Sequence, residues 1–329
     1  MIVTRTPVRL PLGGGGTDLP SYSSQYGGFL ISAAIDKYTF ITVNRRKLDR
    51  LIRASYSVTE LVDSVDKLQH PLIRETLRLS GMDGGIEITS IADLPTGSGL
   101  GTSASFTVGL LNALHALKRE HVSPREIAEE ACRIEIDVLK EPIGKHDQYI
   151  TALGGVTSLD IDRTGHVSAF SAKIDEDIIE GFERNVVLFY TGRSREASDV
   201  LSFQDAATSR SDSRVIESLH RIKEIGWEIK NVLEAGDLRR FGELLDVHWQ
   251  TKRQLSGHVS DSQIDCWYEV AKESGAVGGK LIGAGGGGFF MFYCESEQKA
   301  KVREAMAREG LIETRFRLDF EGTKVLINF

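Results

Sequence analysis

The chain has 329 residues, enough for one large or two ordinary domains, and its apolar and charged fractions are those of a soluble globular protein. The formal net charge of −7, with acidic and basic residues interspersed, argues against a general nucleic-acid-binding surface. The first residues contain no apolar run of signal-peptide length and no later segment approaches a membrane span, so we expect a cytoplasmic protein. Three widely separated cysteines lie in apolar or helical stretches and are expected to be reduced core residues: Cys132, Cys266 and Cys294.

The N-terminal half predicts strands separated by glycine-rich breaks. Residues 29–46 and 85–91 are rich in β-branched and aromatic side chains, which is typical of strands. A helix is predicted over 123–139, with Ser123 as its N-cap and Pro124 at its first position. Before it, apolar side chains recur at intervals of three and four residues and predict one face of another helix: Phe106, Leu110, Leu114 and Leu117.

The C-terminal half predicts long helices and a second glycine-rich segment. After a strand at 185–192, the pattern indicates helices over 213–235, 237–254, 261–274 and 296–308, an apolar strand-like run over 278–294 and a terminal strand over 322–329. Strands and helices mix without a regular βαβ alternation. We therefore predict an α+β fold with two domains, residues 1–180 and 181–329.

The stretch LPTGSGLGTSAS, which begins at residue 94, places three glycines in front of a predicted helix. The free N–H groups and the dipole at a helix start attract anions, and glycines at 97, 99 and 101 allow a phosphate to approach the backbone. Hydroxyls at 102 and 103 can donate to phosphate oxygens or bind a metal. The stretch lacks the lysine of the commonest phosphate loop, and its glycines miss the dinucleotide spacing. The alternative is a glycine-rich turn in which Ser103 is an ordinary N-cap.

Glu135 and Asp147 lie on either side of a proline–glycine break. A helix that leads into a loop can direct two such carboxylates towards one point. Mg²⁺ takes one or two carboxylates together with hydroxyl, water and phosphate oxygens, so Glu135 with Ser103 would suffice. Asp147 could orient and deprotonate a substrate hydroxyl. The alternative is a solvated helix charge and a turn-forming loop residue.

Two further glycine-rich stretches complete the pattern. Four glycines at 13–16 precede Thr17 and Asp18, where a carboxylate could bind paired sugar hydroxyls or cap a tight turn. The stretch GGKLIGAGGGGFF, residues 278–290, is expected to close against the nucleotide or against the other glycine loop. A β-bulge or a plain hairpin is the alternative.

In this order, these stretches resemble the three signature motifs of the GHMP kinase family, which includes galactokinase and homoserine, mevalonate and phosphomevalonate kinases. GLGTSAS is similar to the family's G-L-G-S-S-A loop, with threonine for the first serine. Arg9 and Asp18 keep the separation of an arginine and a sugar-binding aspartate in galactokinases. Glu135 and Asp147 keep that of a metal-binding glutamate and a catalytic aspartate in a D-Q-[FY] context. The resemblance spans the whole chain.

The resemblance implies a two-domain α+β fold with the active site in the cleft between the domains, and it implies ATP and Mg²⁺ as donor and cofactor. Asp147 and Arg9 would be catalytic, and Ser103 and Glu135 would hold the metal. Because Arg9 would lower the basicity of Asp147, positioning could matter more than proton abstraction. The implied nucleotide contacts are Gly97, Ser98, Gly99, Leu100, Gly101, Thr102, Ser103, Gly285 and Gly286. The implied substrate contacts are Asp18, Thr17, Gly16, Lys145 and Gly286.

Within the family, GGGGTDLPSY, PIGKHDQYITALGG and HWQTKRQLS are most similar to D-glycero-D-manno-heptose 7-phosphate kinases. His146 stands where that group has glutamine, and it could alter the sugar preference. The implied reaction is ATP-dependent phosphorylation of the anomeric hydroxyl to give the 1,7-bisphosphate, for nucleotide-activated heptose and surface polysaccharide. The alternatives are a GHMP kinase of galactose, fucose or an N-acetylhexosamine, and a non-catalytic sugar- and nucleotide-binding regulator.

Several cations could hold a phosphate at the far end of such a substrate, although for each of them a solvated surface charge is the alternative. They are Lys145, Arg193, Arg195, His248, Lys252 and Arg253. Trp249, beside His248, is expected in the core. The expected partners are a small sugar phosphate and ATP, and the oligomeric state stays open, with a homodimer as one alternative.

Overall fold

A computed structural model of the chain describes residues 1–193, 202, 205–206, 208–210, 212–255 and 259–329. The strands within these residues are β1 (Ile2–Gly13), β2 (Gly28–Arg45), β3 (Ile52–Ser55), β4 (Thr59–Val62), β5 (Ile86–Ala92), β6 (Val156–Ile161), β7 (Val167–Ser171), β8 (Val186–Tyr190), β9 (Ala276–Leu281), β10 (Phe289–Cys294), β11 (Ile312–Thr314) and β12 (Lys324–Asn328).

The α-helices of the described residues lie between these strands. They are α1 (Pro20–Tyr26), α2 (Pro71–Leu79), α3 (Thr102–Lys118), α4 (Pro124–Cys132), α5 (His146–Leu153), α6 (Glu176–Asn185), α7 (Ser213–Glu234), α8 (Leu238–Arg253), α9 (Ser262–Glu273) and α10 (Ser296–Arg308). A π-helical segment, Arg133–Val138, follows α4 directly.

The larger sheet is organised around the 18-residue strand β2. One edge of β2 pairs with β1, while the other edge pairs with β6 at its beginning and with β5 at its end. The strands of this sheet follow the order β12-β1-β2-β5-β3-β4, and β6, which pairs with β2, also pairs with β7. The second sheet has the order β11-β8-β10-β9. The last strand of the chain therefore returns to the first sheet.

Side-chain alternation along β2 separates two packed faces. Leu30 and Ala34 point into a cluster with α3, α4 and α5, whereas Ile31 points into a cluster with the second half of the chain. That second cluster contains Leu10 of β1, Ile225 of α7, Leu245 of α8 and Met291 of β10, all fully buried. The two halves thus share one continuous hydrophobic core rather than a hydrated interface.

The predicted strands and helices are confirmed to within a few residues, except that the strand-like run over 278–294 is two paired strands, β9 and β10, joined by the glycine segment, and the α+β class is confirmed. One predicted helix is only partly correct, because the pattern over 123–139 gives an α-helix to Cys132 and then the wider π turns. Ser123 forms the N-cap as predicted, in a capping box with Glu126. The prediction of core cysteines is wrong for Cys266, which is exposed on the outer face of α9, whereas Cys132 and Cys294 are buried. The division at residue 180 falls inside α6 and stays a proposal.

Candidate active site

The phosphate-loop candidate lies at the start of α3 and borders the acidic residue of α5. Gly97, Gly99 and Gly101 all have φ between 76° and 80°, a left-handed conformation that other residues adopt at a cost. A Cβ on Gly101 would lie 3.1 Å from Arg9 Cγ and 3.2 Å from Asp147 Oδ2. Gly101 is the N-cap of α3 and no side chain caps the helix, so the N–H groups of its first turn are available to an anion. The alternative in which Ser103 is an ordinary N-cap is therefore wrong.

Arg9 and Asp147 form a bidentate ion pair beside this loop. Arg9 Nε and Nη2 donate to the two carboxylate oxygens at 2.8 and 2.9 Å, and Nη1 donates to Gly99 O at 2.5 Å. Burial acts to raise the pKa of Asp147, but the charges of Arg9 and His146 outweigh it, so the pKa is lowered. Asp147 is therefore ionised and only weakly basic, as the sequence predicted.

Asp18 lies opposite Asp147, held by the backbone of both neighbouring segments. Its Oδ1 accepts from Gly16 N and its Oδ2 from His146 N, each at 3.2 Å. Burial and the nearby charge of Asp147 raise the pKa of Asp18. Gly144 makes this approach possible, because a Cβ there would meet Asp18 Oδ2 at 2.1 Å. Asp18, Asp147 and Arg9 thus form one charged cluster.

Glu135 and Ser103 are also brought together, with the carboxylate almost completely buried in the π-helical segment. Ser103 Oγ donates to Glu135 Oε2 at 3.1 Å, and Oε1 has no hydrogen-bond partner among the described residues. Burial raises the pKa of Glu135 to about 7, and the neighbouring polar side chains of Gln148, Ser103 and Thr107 oppose this only in part. An orphaned carboxylate oxygen beside a hydroxyl fits a divalent cation with oxygen ligands. The described residues contain no cluster of three or more acidic, histidine or cysteine side chains of metal-binding geometry, so the nucleotide and water would have to complete the coordination.

The third glycine segment closes against the phosphate loop, as predicted, and it is also the loop of the hairpin formed by β9 and β10. Cβ atoms on Gly283 and Gly288 would lie 3.0 Å from Gly99 Cα and 2.5 Å from Ser98 O. Gly285 and Gly286 instead pack on Val259, to which Gly286 N donates at 3.0 Å. Their predicted contact with nucleotide or sugar stays a prediction.

Two predicted substrate contacts have side chains engaged elsewhere. The Lys145 ammonium group donates to Glu129 Oε2 at 3.1 Å and to Gly165 O at 3.0 Å, because its side chain extends away from Asp18 towards α4. The Thr17 hydroxyl is fully buried, within 2.9 Å of the carbonyl oxygens of Gly14 and Phe29. Thr17 therefore fixes the loop rather than presenting a hydroxyl to a ligand.

The remaining cation candidates divide into surface and buried groups. Arg193 forms an ion pair with Asp261, and Arg253 forms one with Asp265. Both therefore match the alternative of a solvated surface charge. Arg195 lies outside the described residues. Contrary to the expectation of exposed cations, His248 is buried and Lys252 is partly buried, because this face of α8 packs on β9. Trp249 is fully buried, as predicted.

A further cation of this region, Lys280 on β9, is buried and was not predicted from the sequence. Its side chain is 3% exposed and its ammonium group donates to Leu12 O at 2.8 Å, directly before the 13–16 glycine loop. A single lysine within the apolar run KLIGAGGGGFFMFYC is the signal that could have identified it.

Among the described helices, none combines the length and the apolar character needed to cross a membrane.

The chain was compared with known proteins. Residues 66–155 match the GHMP kinases N terminal domain and residues 229–312 match the GHMP kinases C terminal domain, so together the two matches cover more than half of the chain. A D-glycero-alpha-D-manno-heptose 7-phosphate kinase of Campylobacter jejuni is 28% identical, with 98% of each chain covered. A galactokinase of Pyrococcus furiosus is 26% identical, with 94% of each covered.

The crystal structure of a D-glycero-D-manno-heptose 1-phosphate kinase from Bacteroides thetaiotaomicron superposes with a TM-score of 0.83 at 26% identity, covering both chains completely. These similarities support a sugar kinase of the GHMP type. The two domain matches, the fold and the motifs assign this chain to the GHMP kinase family.

Proposed function

We propose that the chain is an ATP-dependent kinase that phosphorylates the anomeric hydroxyl of D-glycero-D-manno-heptose 7-phosphate. The observation that carries this proposal is the juxtaposition of Asp18, Asp147 and Arg9 at the mouth of the phosphate loop. A second carboxylate opposite the Arg9–Asp147 pair suits an acceptor with several hydroxyls. The relative from Campylobacter jejuni supplies the choice of heptose.

In this mechanism the 97–103 loop and the start of α3 bind the β- and γ-phosphates through backbone N–H groups. Asp18 accepts hydrogen bonds from sugar hydroxyls and so orients the ring. Asp147 holds the acceptor hydroxyl in line and takes its proton as its oxygen bonds to the γ-phosphorus, while the bond from that phosphorus to the bridging oxygen breaks and ADP leaves. Because Arg9 keeps Asp147 ionised and weakly basic, orientation contributes more than proton abstraction. The Arg9 guanidinium also stabilises negative charge that develops on the transferred group.

Ser103 and Glu135 are the residues that would hold Mg²⁺. When bound, the metal neutralises charge on the phosphates of the nucleotide. Ionisation of Glu135 becomes favourable once a cation replaces its missing partner, since burial is the main cause of its raised pKa and the nearby charge of Asp147 adds to it.

The test is ATP consumption with a panel of acceptors, with the position of the new phosphate read by phosphorus NMR. The panel contains the heptose 7-phosphate, the heptose 1-phosphate named for the solved relative, the free heptose, galactose, fucose and an N-acetylhexosamine. An anomeric phosphate formed from the 7-phosphate alone supports the proposal. Turnover of a free hexose, or of the 1-phosphate at another hydroxyl, would overturn the substrate. Binding of sugar and nucleotide without any turnover would favour the non-catalytic regulator.

A further inference from the structure

Three basic side chains near the 13–16 glycine loop and the 278–290 glycine segment have no acidic partner among the described residues. His248 and Lys252 lie one turn apart on α8, and Lys280 lies on the neighbouring β9. Lys280 donates to Leu12 O, and Lys252 donates to Leu281 O at 3.3 Å and to Gly283 O. In the described part of the chain, no carboxylate lies within ion-pair distance of either ammonium group.

These groups also repel one another, which is unusual for buried charges. Burial lowers the pKa of Lys252 to about 7 and that of Lys280 well below its ordinary value, and the proximity of Arg9 lowers both further. Both ring nitrogens of His248 are buried without a hydrogen-bond partner. A buried and a partly buried lysine without counter-charges, together with a buried imidazole without hydrogen-bond partners, are destabilising unless a ligand completes them.

We propose that Lys252, Lys280 and His248 form an anion subsite, the cation pocket, which holds the phosphate group that the sugar acceptor already carries. The inference rests on the proposed function and names the part of the substrate that gives specificity. A phosphate dianion offers several acceptor oxygens. Lys280 keeps two free donors after its bond to Leu12 O, Lys252 keeps one, and one His248 nitrogen can donate.

Lys280 connects the cation pocket to the acceptor end of the site. Lys280 is tied to Leu12, the residue before the glycine loop that leads to Asp18. His146, whose N–H holds Asp18, lies close enough to Lys280 for the two to interact electrostatically. Lys252 lies nearer the phosphate loop, because it donates to Gly283 O and Gly283 packs against Gly99, whose carbonyl oxygen accepts from Arg9. A heptose that reaches Asp147 with one end can thus place a phosphate in the cation pocket with the other.

The first test compares Lys280→Met and Lys252→Met with Lys272→Met as a matched control. Lys272 also donates to a backbone carbonyl, Val277 O at 2.7 Å, but it lies on α9 within 3.8 Å of Asp246. KM is measured for heptose 7-phosphate and for ATP, and the dissociation constant of the free heptose, which should not be turned over, is measured by calorimetry. We expect KM for the phosphorylated acceptor alone to rise at least about tenfold in the two pocket variants, the loss expected for one charge-assisted hydrogen bond. Equal changes for both acceptors, or a rise confined to ATP, would assign the lysines to the transferred phosphoryl group and overturn the proposal.

A second measurement needs no turnover and separates this inference from the proposed function. Inorganic phosphate is titrated calorimetrically into the protein with a non-hydrolysable ATP analogue bound, so that the nucleotide phosphate positions are filled. The wild type and Lys272→Met should bind phosphate, and both pocket variants should lose this binding. If no heptose phosphate is turned over while this pattern holds, the proposed substrate fails and the cation pocket stands. Equal phosphate binding by all four proteins would refute the pocket.

Folding of the variants is checked by thermal unfolding. Lys280→Met should melt no lower than the wild type, because it replaces an uncompensated buried ammonium group by an apolar side chain of similar length. If Lys280→Met instead melts at a lower temperature than the wild type, and added phosphate does not raise that temperature, Lys280 is a structural donor to Leu12. This result would count against the pocket.

Discussion

Asp147 combines two properties that a single substitution separates, its negative charge and its place beside the phosphate loop. Asp147→Asn keeps the shape but removes the charge that Arg9 pairs with and the acceptor for the substrate proton. We expect kcat to fall by about 10²–10⁴-fold, the range of a general base, with KM for ATP nearly unchanged. Steady-state kinetics beside Asp160→Asn, an exposed aspartate on β6, provides the check. Phosphorylation at the wild-type rate would remove Asp147 from the mechanism.

Glu135 gives the metal-free protein a pH dependence whose sign follows from its burial. The unfolded chain ionises Glu135 near its ordinary pKa of 4.5, whereas the folded chain retains the proton up to about 7. In this window the unfolded state binds fewer protons, so the free energy of unfolding should fall as pH rises, by up to about 3 kcal/mol. Glu135→Gln should abolish this decline, whereas Asp137→Asn, an exposed neighbour, should retain it. Chemical denaturation without Mg²⁺ at pH 5 and pH 8 measures the difference.

The same ionisation predicts when Mg²⁺ binds. A cation prefers the ionised carboxylate, so Mg²⁺ affinity should increase as pH rises through about 7 and then level off. Calorimetric titration of Mg²⁺ at pH 6 and pH 8, with the nucleotide analogue present, would show this. Equal affinities at the two pH values, or unchanged binding by Glu135→Gln, would contradict a metal-binding role for Glu135.

At the scale of elements, the loop that leads into α3 depends on backbone conformation and on space. Gly101→Ala introduces strain of about 1–2 kcal/mol at φ +77° and places a methyl group against Arg9 and Asp147. Gly81→Ala is the matched control, because Gly81 has φ +66° and nothing within 4 Å of its added Cβ. Both should lose similar stability, but only Gly101→Ala should lose at least about tenfold in kcat/KM. Similar activities of the two variants would show that the close approach at Gly101 is unimportant.

The elements also show how far sequence reasoning reached. Apolar periodicity and glycine breaks placed the longer predicted strands and most predicted helix ends correctly, because those signals are local, whereas short strands such as β3, β4 and β7 were not predicted. The π turns around Glu135 have no distinct sequence signature, since the residues that form them also favour an α-helix. His248 and Lys252 were expected at the surface because cationic side chains are usually solvated. Their burial follows from the packing of α8 on β9, which only the tertiary fold determines. Lys145 illustrates the same limit, because proximity to Asp147 in sequence did not predict where its side chain points.

At the scale of the whole molecule, strand pairing and a shared hydrophobic core hold the two halves together. Strand β12 pairs with β1, and the core cluster that contains Leu10 also contains residues of α7, α8 and β10. A boundary at residue 180 therefore divides the sequence into two segments, but these segments do not have separate hydrophobic cores. Because the candidate site draws Asp18, Asp147 and the phosphate loop from the first half and Lys252 and Lys280 from the second, its geometry depends on this shared packing.

The shared core predicts that the two halves unfold together. All three tryptophans, Trp227, Trp249 and Trp267, lie in the second half, so their fluorescence follows that half, while far-UV circular dichroism follows the whole chain. The two denaturation curves should coincide. Leu10→Ala, a change in the first half, should shift both by the same amount and lower the free energy of unfolding by about 2–5 kcal/mol, because the leucine is fully buried. If Leu10→Ala shifted the circular dichroism curve but not the fluorescence curve, the halves would be independent units, and the contacts between them would contribute little to holding the site together.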